Sequence, residues 1–183
     1  MASGFVVWLT GLSAAGKSTI AGLVAADLEA RGVLVDRLDG DIVRAHLTRG
    51  LGFSKQDRDA NIERIGWVAS RLARAGAAVI VSAISPYEEA RQKARAFTEE
   101  HAPFVLVYVA TSLAECERRD PKGLYAKAHT GEIPAFTGVS DPYEEPLEPE
   151  LRLDTEGRTP AESAAAVCAT LERFALVPER VPA

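Results

Sequence analysis

"GLSAAGKST", residues 11–19, lies between an apolar run, "FVVWLT" (5–10), and a stretch with helical character from Lys17 to Arg31. Gly11-x-x-x-x-Gly16-Lys17-Ser18 fits the P-loop pattern, and a strand before it and a helix after it are the context its chemistry requires. Its glycines let successive backbone N–H groups curl around an anion, and the N-terminus of the next helix adds its dipole. Lys17 would reach the β- and γ-phosphates of a nucleotide, and the Ser18 hydroxyl would ligate Mg2+. The stretch therefore predicts a bound nucleotide. It leaves open whether the phosphate is transferred, hydrolysed or sensed.

Outward from the loop, strand-like and helical patterns alternate. "VLVDRLD" (33–39) reads as a second strand, followed by a short helix over 42–47. A polar, glycine-containing segment (49–56) leads into a longer helix with Ile62, Ile65, Ala69 and Leu72 at helical spacing. "AAVIVSAI" (77–84), "FVLVYVA" (104–110) and "ELRLDT" (150–155) read as three further strands. Helices are expected over 87–101 and 112–120, and a closing helix over 159–174 has Thr159 as N-cap and Pro160 at its first position. Near-continuous apolar strands separated by helices predict a mainly parallel five-stranded sheet covered on both faces, a three-layer α/β/α domain. Residues 1–176 form that single domain, with 121–149 as a lid loop. Residues 177–183 are expected to fray.

Bulk properties set the limits. At 183 residues, 47% apolar and 26% charged, the chain is one soluble domain able to bury a core without staples. Acidic residues outnumber basic ones by 26 to 21 for a net charge of -5, which argues against a nucleic-acid partner. Positive contacts to an anionic substrate must then be local. Cys116 and Cys168 stand apart, indicating neither a zinc site nor a disulfide framework and suiting a reducing cytoplasm. "FVVWL" is too short for a signal core or a membrane span, so a cytoplasmic protein with no membrane partner is expected.

The remaining motifs narrow the class. No NKxD base-recognition string occurs, and "DTEG" (154–157) lies so near the C-terminus that it reads as coincidence. "AAVIVSAIS" ends in serine where a Walker B strand ends in an acid. The acids stand instead in "LDGD": Asp39 and Asp41 would orient Mg2+ or accept a proton from an attacking hydroxyl. Asp41 also suits the N-cap of the short helix. Arg44, Phe53, Arg58 and Asn61 suit a planar anionic substrate, with an aromatic face for a ring and guanidinium forks for oxyanions. Ser85, Pro86 and Glu88 spell a capping box, which explains Ser85 without catalysis. Arg118, Arg119, Lys122 and Lys127 open the lid, where cations would cover a transferring phosphoryl group.

"GLSAAGKST", "LDGDIVR", "LGFSKQDRDANIERIG", "ISPY", "RDPKGLYAKA" and "EIPAFTGVSDPYEEP" resemble, in order and spacing, the adenylylsulfate kinase family over about residues 5–155. The resemblance implies a P-loop kinase fold and an enzyme that phosphorylates the 3′-hydroxyl of adenosine 5′-phosphosulfate (APS) with ATP and Mg2+, giving the 3′-phospho product PAPS in sulfate assimilation. It implies ATP binding by Gly11, Leu12, Ser13, Ala14, Ala15, Gly16, Lys17, Ser18, Thr19 and Arg119. Lys17, Asp39, Asp41 and Ser85 are the implied catalytic set, with Ser18 and Asp39 on the metal. Substrate would meet Asp41, Arg44, Phe53, Arg58, Asn61, Ile84 and Ser85, under a lid carrying Lys122, Leu124 and Phe136. Ser85 matches the family's phosphoserine position. The family is often dimeric, so the resemblance allows a homodimer and a functional association with ATP sulfurylase. Ile42, Ala60, Ala126 and His129 depart from the family pattern, which keeps a kinase of another acceptor as an alternative. A nucleotide-regulated binding module without turnover is the second.

Overall fold

The computed structural model describes residues 4–178. Twelve elements run in chain order: β1 (Phe5–Thr10), α1 (Lys17–Ala30), β2 (Val35–Asp39), α2 (Gly40–His46), α3 (Lys55–Arg74), β3 (Ala78–Ser82), α4 (Glu88–Glu99), β4 (Phe104–Val109), α5 (Leu113–Arg119), α6 (Leu124–His129), β5 (Leu151–Leu153) and α7 (Pro160–Arg173). The strands pair in the order β2-β3-β1-β4-β5, and every pairing is parallel.

β1 is the centre, buried along its whole length. Successive side chains of a strand point to opposite faces, so its residues seed two cores. Phe5, Val7 and Leu9 pack against α1 and α7 through Ile20, Val24, Leu28, Val167 and Leu171. Val6 and Trp8 pack against α3 and α4 through Ile62, Ile65, Ala69, Ala90 and Ala94. Burying each large apolar side chain contributes roughly 1.5–3 kcal/mol, which is why this run reads as strand despite lacking polar alternation. Helices on both faces make the three layers that the sequence predicts. α3 and α4 meet closely: a Cβ on Gly66 would lie 2.7 Å from Ala94 Cβ and 2.8 Å from Ala94 Cα.

Four local expectations change. The segment 121–149 is not wholly irregular, because α6 forms inside it. Asp39, not Asp41, caps α2: its side chain accepts from the Asp41 N–H at 3.1 Å. α4 starts only at Glu88 with Tyr87 as N-cap and no side-chain cap, so Ser85 caps nothing. At the other end, Val177 is buried in the core and the exposed Pro178 still accepts from Arg31 through its carbonyl, so the chain is held there rather than frayed. Residues 179–183 lie outside the described residues. Thr159 does form the expected cap, as a full capping box with Glu162.

Candidate active site

The carboxyl ends of β1, β2 and β3 open into one cleft of about 1120 Å³, roofed by residues 118–137. Ligands of open parallel sheets bind beyond these strand ends. Every residue anticipated for the site lines this cleft except Gly11 and Leu12, whose carbonyls accept from Lys17 behind it, and the lid cation Lys127.

The P-loop is a turn that only part of the amino-acid alphabet can make. Gly11 has φ +148°, and a Cβ there would meet the Val109 carbonyl oxygen at 2.5 Å. Ala14, where the family often has glycine, sits in the left-handed region at φ +59°. Lys17 folds back onto the loop, donating to the Gly11 and Leu12 carbonyls at 2.9 and 2.6 Å. Burial pushes its ammonium down to about 8, against the pull of Asp39 and Asp41.

Asp39 is the most constrained acid. Ser18 Oγ donates to its Oδ2 at 2.5 Å, and Ser82 Oγ to the same oxygen at 2.8 Å. Partial burial opposes ionisation, yet these bonds and the Asp41 N–H outweigh it and hold the carboxyl below the ordinary range. Ser82 was not anticipated, although it is the last residue of β3 and pairs in register with Asp39. Asp41 stands at the cleft mouth, exposed, in a salt bridge with the lid residue Lys122.

On the side of α3, Arg44 stacks over the Phe53 ring with 4.5 Å from guanidinium carbon to centroid, and the ring is 59% exposed. Arg58 is buried and faces the lid: Nε donates to the Phe53 carbonyl at 2.8 Å, Nη1 to Thr137 Oγ1 at 2.5 Å, and Nη2 to the Ala135 carbonyl. Asn61 accepts from Thr48 Oγ1 at 2.7 Å. Both are thus held in place by protein groups. Phe136 packs edge-on against Tyr125 of α6 at 5.0 Å between centroids, which seats the lid on the first core.

Ser85 lines the cleft, but its side chain is only 1% exposed. Trp8 Nε1 donates to Ser85 Oγ at 3.1 Å, and Ser85 Oγ donates to Thr10 Oγ1 at 2.9 Å. The residue has φ +42°, a left-handed conformation held by this network. Its hydroxyl is thus held in the cleft floor between Trp8 and Thr10.

The far end holds Arg119, whose guanidinium donates to Thr155 Oγ1 at 3.1 Å and is anchored by Glu115 at 2.8 Å. Thr155 and Gly157 line the cleft beside it, so part of "DTEG" contributes to the wall. By contrast, Ile42, Ala60, Ala126, Lys127 and His129 are not cleft-lining residues. Ile42 is 62% exposed, Ala60 faces a separate groove with Trp67, and His129 pairs with Glu117 at 2.8 Å.

Known proteins resemble this chain in both sequence and fold. The family model described as adenylylsulphate kinase covers residues 3–154. The adenylyl-sulfate kinase of Microcystis aeruginosa is 51% identical over 97% of both chains. A probable bifunctional SAT/APS kinase 2 of Sorangium cellulosum is 52% identical over 97% of this chain, which spans 30% of that relative's length. Among solved structures, the Mycobacterium tuberculosis APS kinase CysC in complex with AMPPNP and APS superposes with a TM-score of 0.91 at 46% identity, over 94% of this chain and 99% of that one.

Proposed function

The chain belongs to the adenylylsulphate kinase family, and from that premise we propose how its cleft transfers the γ-phosphoryl group of ATP to the 3′-hydroxyl of APS. The observation that carries the reading is the single roofed cleft in which a P-loop, two acids and an aromatic-plus-arginine pocket converge. A pure sensor needs the first of these and not the others.

In-line phosphoryl transfer asks the protein mainly for positioning and charge stabilisation. Lys17 exchanges its loop carbonyls for the β- and γ-phosphate oxygens. Ser18 Oγ and Asp39 Oδ2, 2.5 Å apart, offer hard oxygens of the kind Mg2+ takes. That ion, when bound, would neutralise charge between the β- and γ-phosphates. Asp39 is committed to that corner by its three hydrogen bonds, which leaves Asp41 to orient or deprotonate the acceptor hydroxyl. Phe53 offers its exposed face to the APS adenine, with Arg44, Arg58 and Asn61 toward the phosphosulfate. Arg119 borders the ATP base, and Lys122 swings from Asp41 to the transferring group as the lid, which also carries Leu124 and Phe136, closes.

The alternative of another acceptor is motivated by Ile42, Ala60 and His129, and their places off the cleft wall weigh against it. Two buried thiols, Cys116 and Cys168, accord with a cytoplasmic setting, and no helix among the described residues is long and apolar enough to cross a membrane. The bifunctional relative supports a functional association with ATP sulfurylase, and a hexameric APS kinase of Thiobacillus denitrificans supports self-association. The deciding experiment is PAPS formation from ATP, Mg2+ and APS, with coupled ADP release across an acceptor panel. APS-dependent release is expected. Release with another acceptor only, or ATP binding without any transfer, would overturn the reading.

A further inference from the structure

Arg91 on α4 is 1% exposed and lies outside the cleft wall. A guanidinium keeps its charge in proteins, so its buried donors need partners. Nη1 donates to the Ser85 carbonyl at 2.6 Å. Nη2 donates to the Glu144 carbonyl at 2.7 Å and to Glu88 Oε2 at 2.5 Å, and Nε reaches the same carboxylate oxygen at 3.1 Å.

These partners come from three segments. Ser85 belongs to the left-handed turn that floors the acceptor side of the cleft. Glu88 opens α4. Glu144 lies near the downstream end of the lid segment, which is strapped down there at several points. The Glu144 N–H donates to the Pro86 carbonyl at 2.8 Å, and the Glu88 N–H donates to Glu144 Oε2 at 2.7 Å. The Tyr143 hydroxyl shares a hydrogen bond with Thr10 Oγ1 at 2.9 Å, and its ring lies 5.8 Å from the Arg91 guanidinium carbon.

We infer that Arg91 is a positioning residue for phosphoryl transfer, locking the acceptor floor and the downstream anchor of the lid into one rigid piece. The planar fork serves two carbonyls from different segments at once, which a lysine ammonium on a flexible stem does not reproduce. A non-glycine residue at φ +42° persists only where its surroundings over-determine it, and Arg91 supplies the shortest bond to that turn's outward carbonyl. With both ends fixed, the lid residues Ala135 to Thr137 close from a set pivot, held on their other side by Arg58.

This inference rests on the proposed placing of APS on the acceptor side. Its test is steady-state kinetics of Arg91→Lys, with a thermal melt to fix a temperature at which the variant is folded. The KM for APS should rise about tenfold, the loss of one charge-assisted bond, while the KM for ATP stays within about twofold. Tyr143→Phe keeps the ring, removes only the hydroxyl on Thr10, and should move the same split by a smaller factor. If Arg91→Lys does not fold, Tyr143→Phe decides alone. An unchanged APS KM in the folded variants, or equal rises for APS and ATP, overturns the inference while leaving the kinase reading intact. A wild-type protein without APS-dependent ADP release overturns both.

Discussion

Replacing Gly66 with alanine tests whether the packing of two helices sets the width of the acceptor site. The added methyl would sit 2.7 Å from Ala94 Cβ and 2.8 Å from Ala94 Cα, where carbon contacts ordinarily lie at about 3.5–4.0 Å. One of the two clashing atoms is backbone and an alanine methyl has no alternative rotamer, so α3 and α4 must part by about 1 Å. Overpacking costs about 1–3 kcal/mol, and a clash that includes a backbone atom lies in the upper part of that range, about 2–3 kcal/mol; the better helix propensity of alanine returns about 1 kcal/mol. The net destabilisation is about 1–2 kcal/mol, a fall in Tm of about 2–8 °C for a domain of this size. Ala94→Gly alone loses a buried methyl and helix propensity, about 2 kcal/mol in all. The double variant moves the methyl across the interface, so it should melt near wild type, with a coupling of about 3 kcal/mol in the cycle. α3 carries Arg58 and Asn61, and α4 follows the Ile84–Pro86 turn, so the single variant should also raise the KM for APS ahead of that for ATP. An unchanged Tm for Gly66→Ala, or additive effects in the double variant, would refute the reasoning.

Lys17→Ala should abolish turnover, and wild-type-like rates would sink the P-loop assignment. Burial holds the Lys17 ammonium down to about 8 from its usual 10.5, so the folded protein sheds this proton before the unfolded chain does. The group's cost to stability is complete below that folded value and fades as pH rises from about 8 to 10.5. Bound triphosphate favours the charged form, so ATP binding at about pH 9 should take up a proton, read as a dependence of calorimetric heat on buffer ionisation enthalpy. Heats independent of buffer would contradict this. Ser85→Ala should cost about 1–3 kcal/mol by orphaning the Trp8 N–H, with turnover largely retained. Complete loss of activity in a folded Ser85→Ala protein would restore that hydroxyl to the chemistry. Arg58→Ala should weaken APS more than ATP in equilibrium binding, and equal effects would move this arginine out of the acceptor site.

What the sequence disclosed and what it hid differ by the range of the forces involved. The P-loop and its flanking strand and helix are written in adjacent residues, and the two acids follow from the end of the second strand. Ser85 was legible as a residue near the cleft but misleading as a cap, since Trp8 and Thr10, far off in the chain, claim its hydroxyl. Asp39 took the capping role from Asp41 because it also receives Ser18 and Ser82 across the strand ends, which no local pattern displays. α6 was hidden because six residues carry little periodicity. Its first turn is organised by the Asp120 carboxylate, which accepts the Leu124 and Ala126 N–H groups, and by Tyr125 packing on Phe136. Arg91 carries no local mark in the sequence, and only the arrival of Glu144 from the end of the lid shows why it is buried.

Lys17 is partnered by the loop it belongs to. Its ammonium donates to two carbonyl oxygens at 2.9 and 2.6 Å, which leaves one of its three N–H donors for an anion. A small ion can offer that third N–H a single oxygen, whereas a polyphosphate chain can offer one from each of two phosphates. A longer phosphate chain is therefore expected to displace the carbonyls where a small ion leaves them in place.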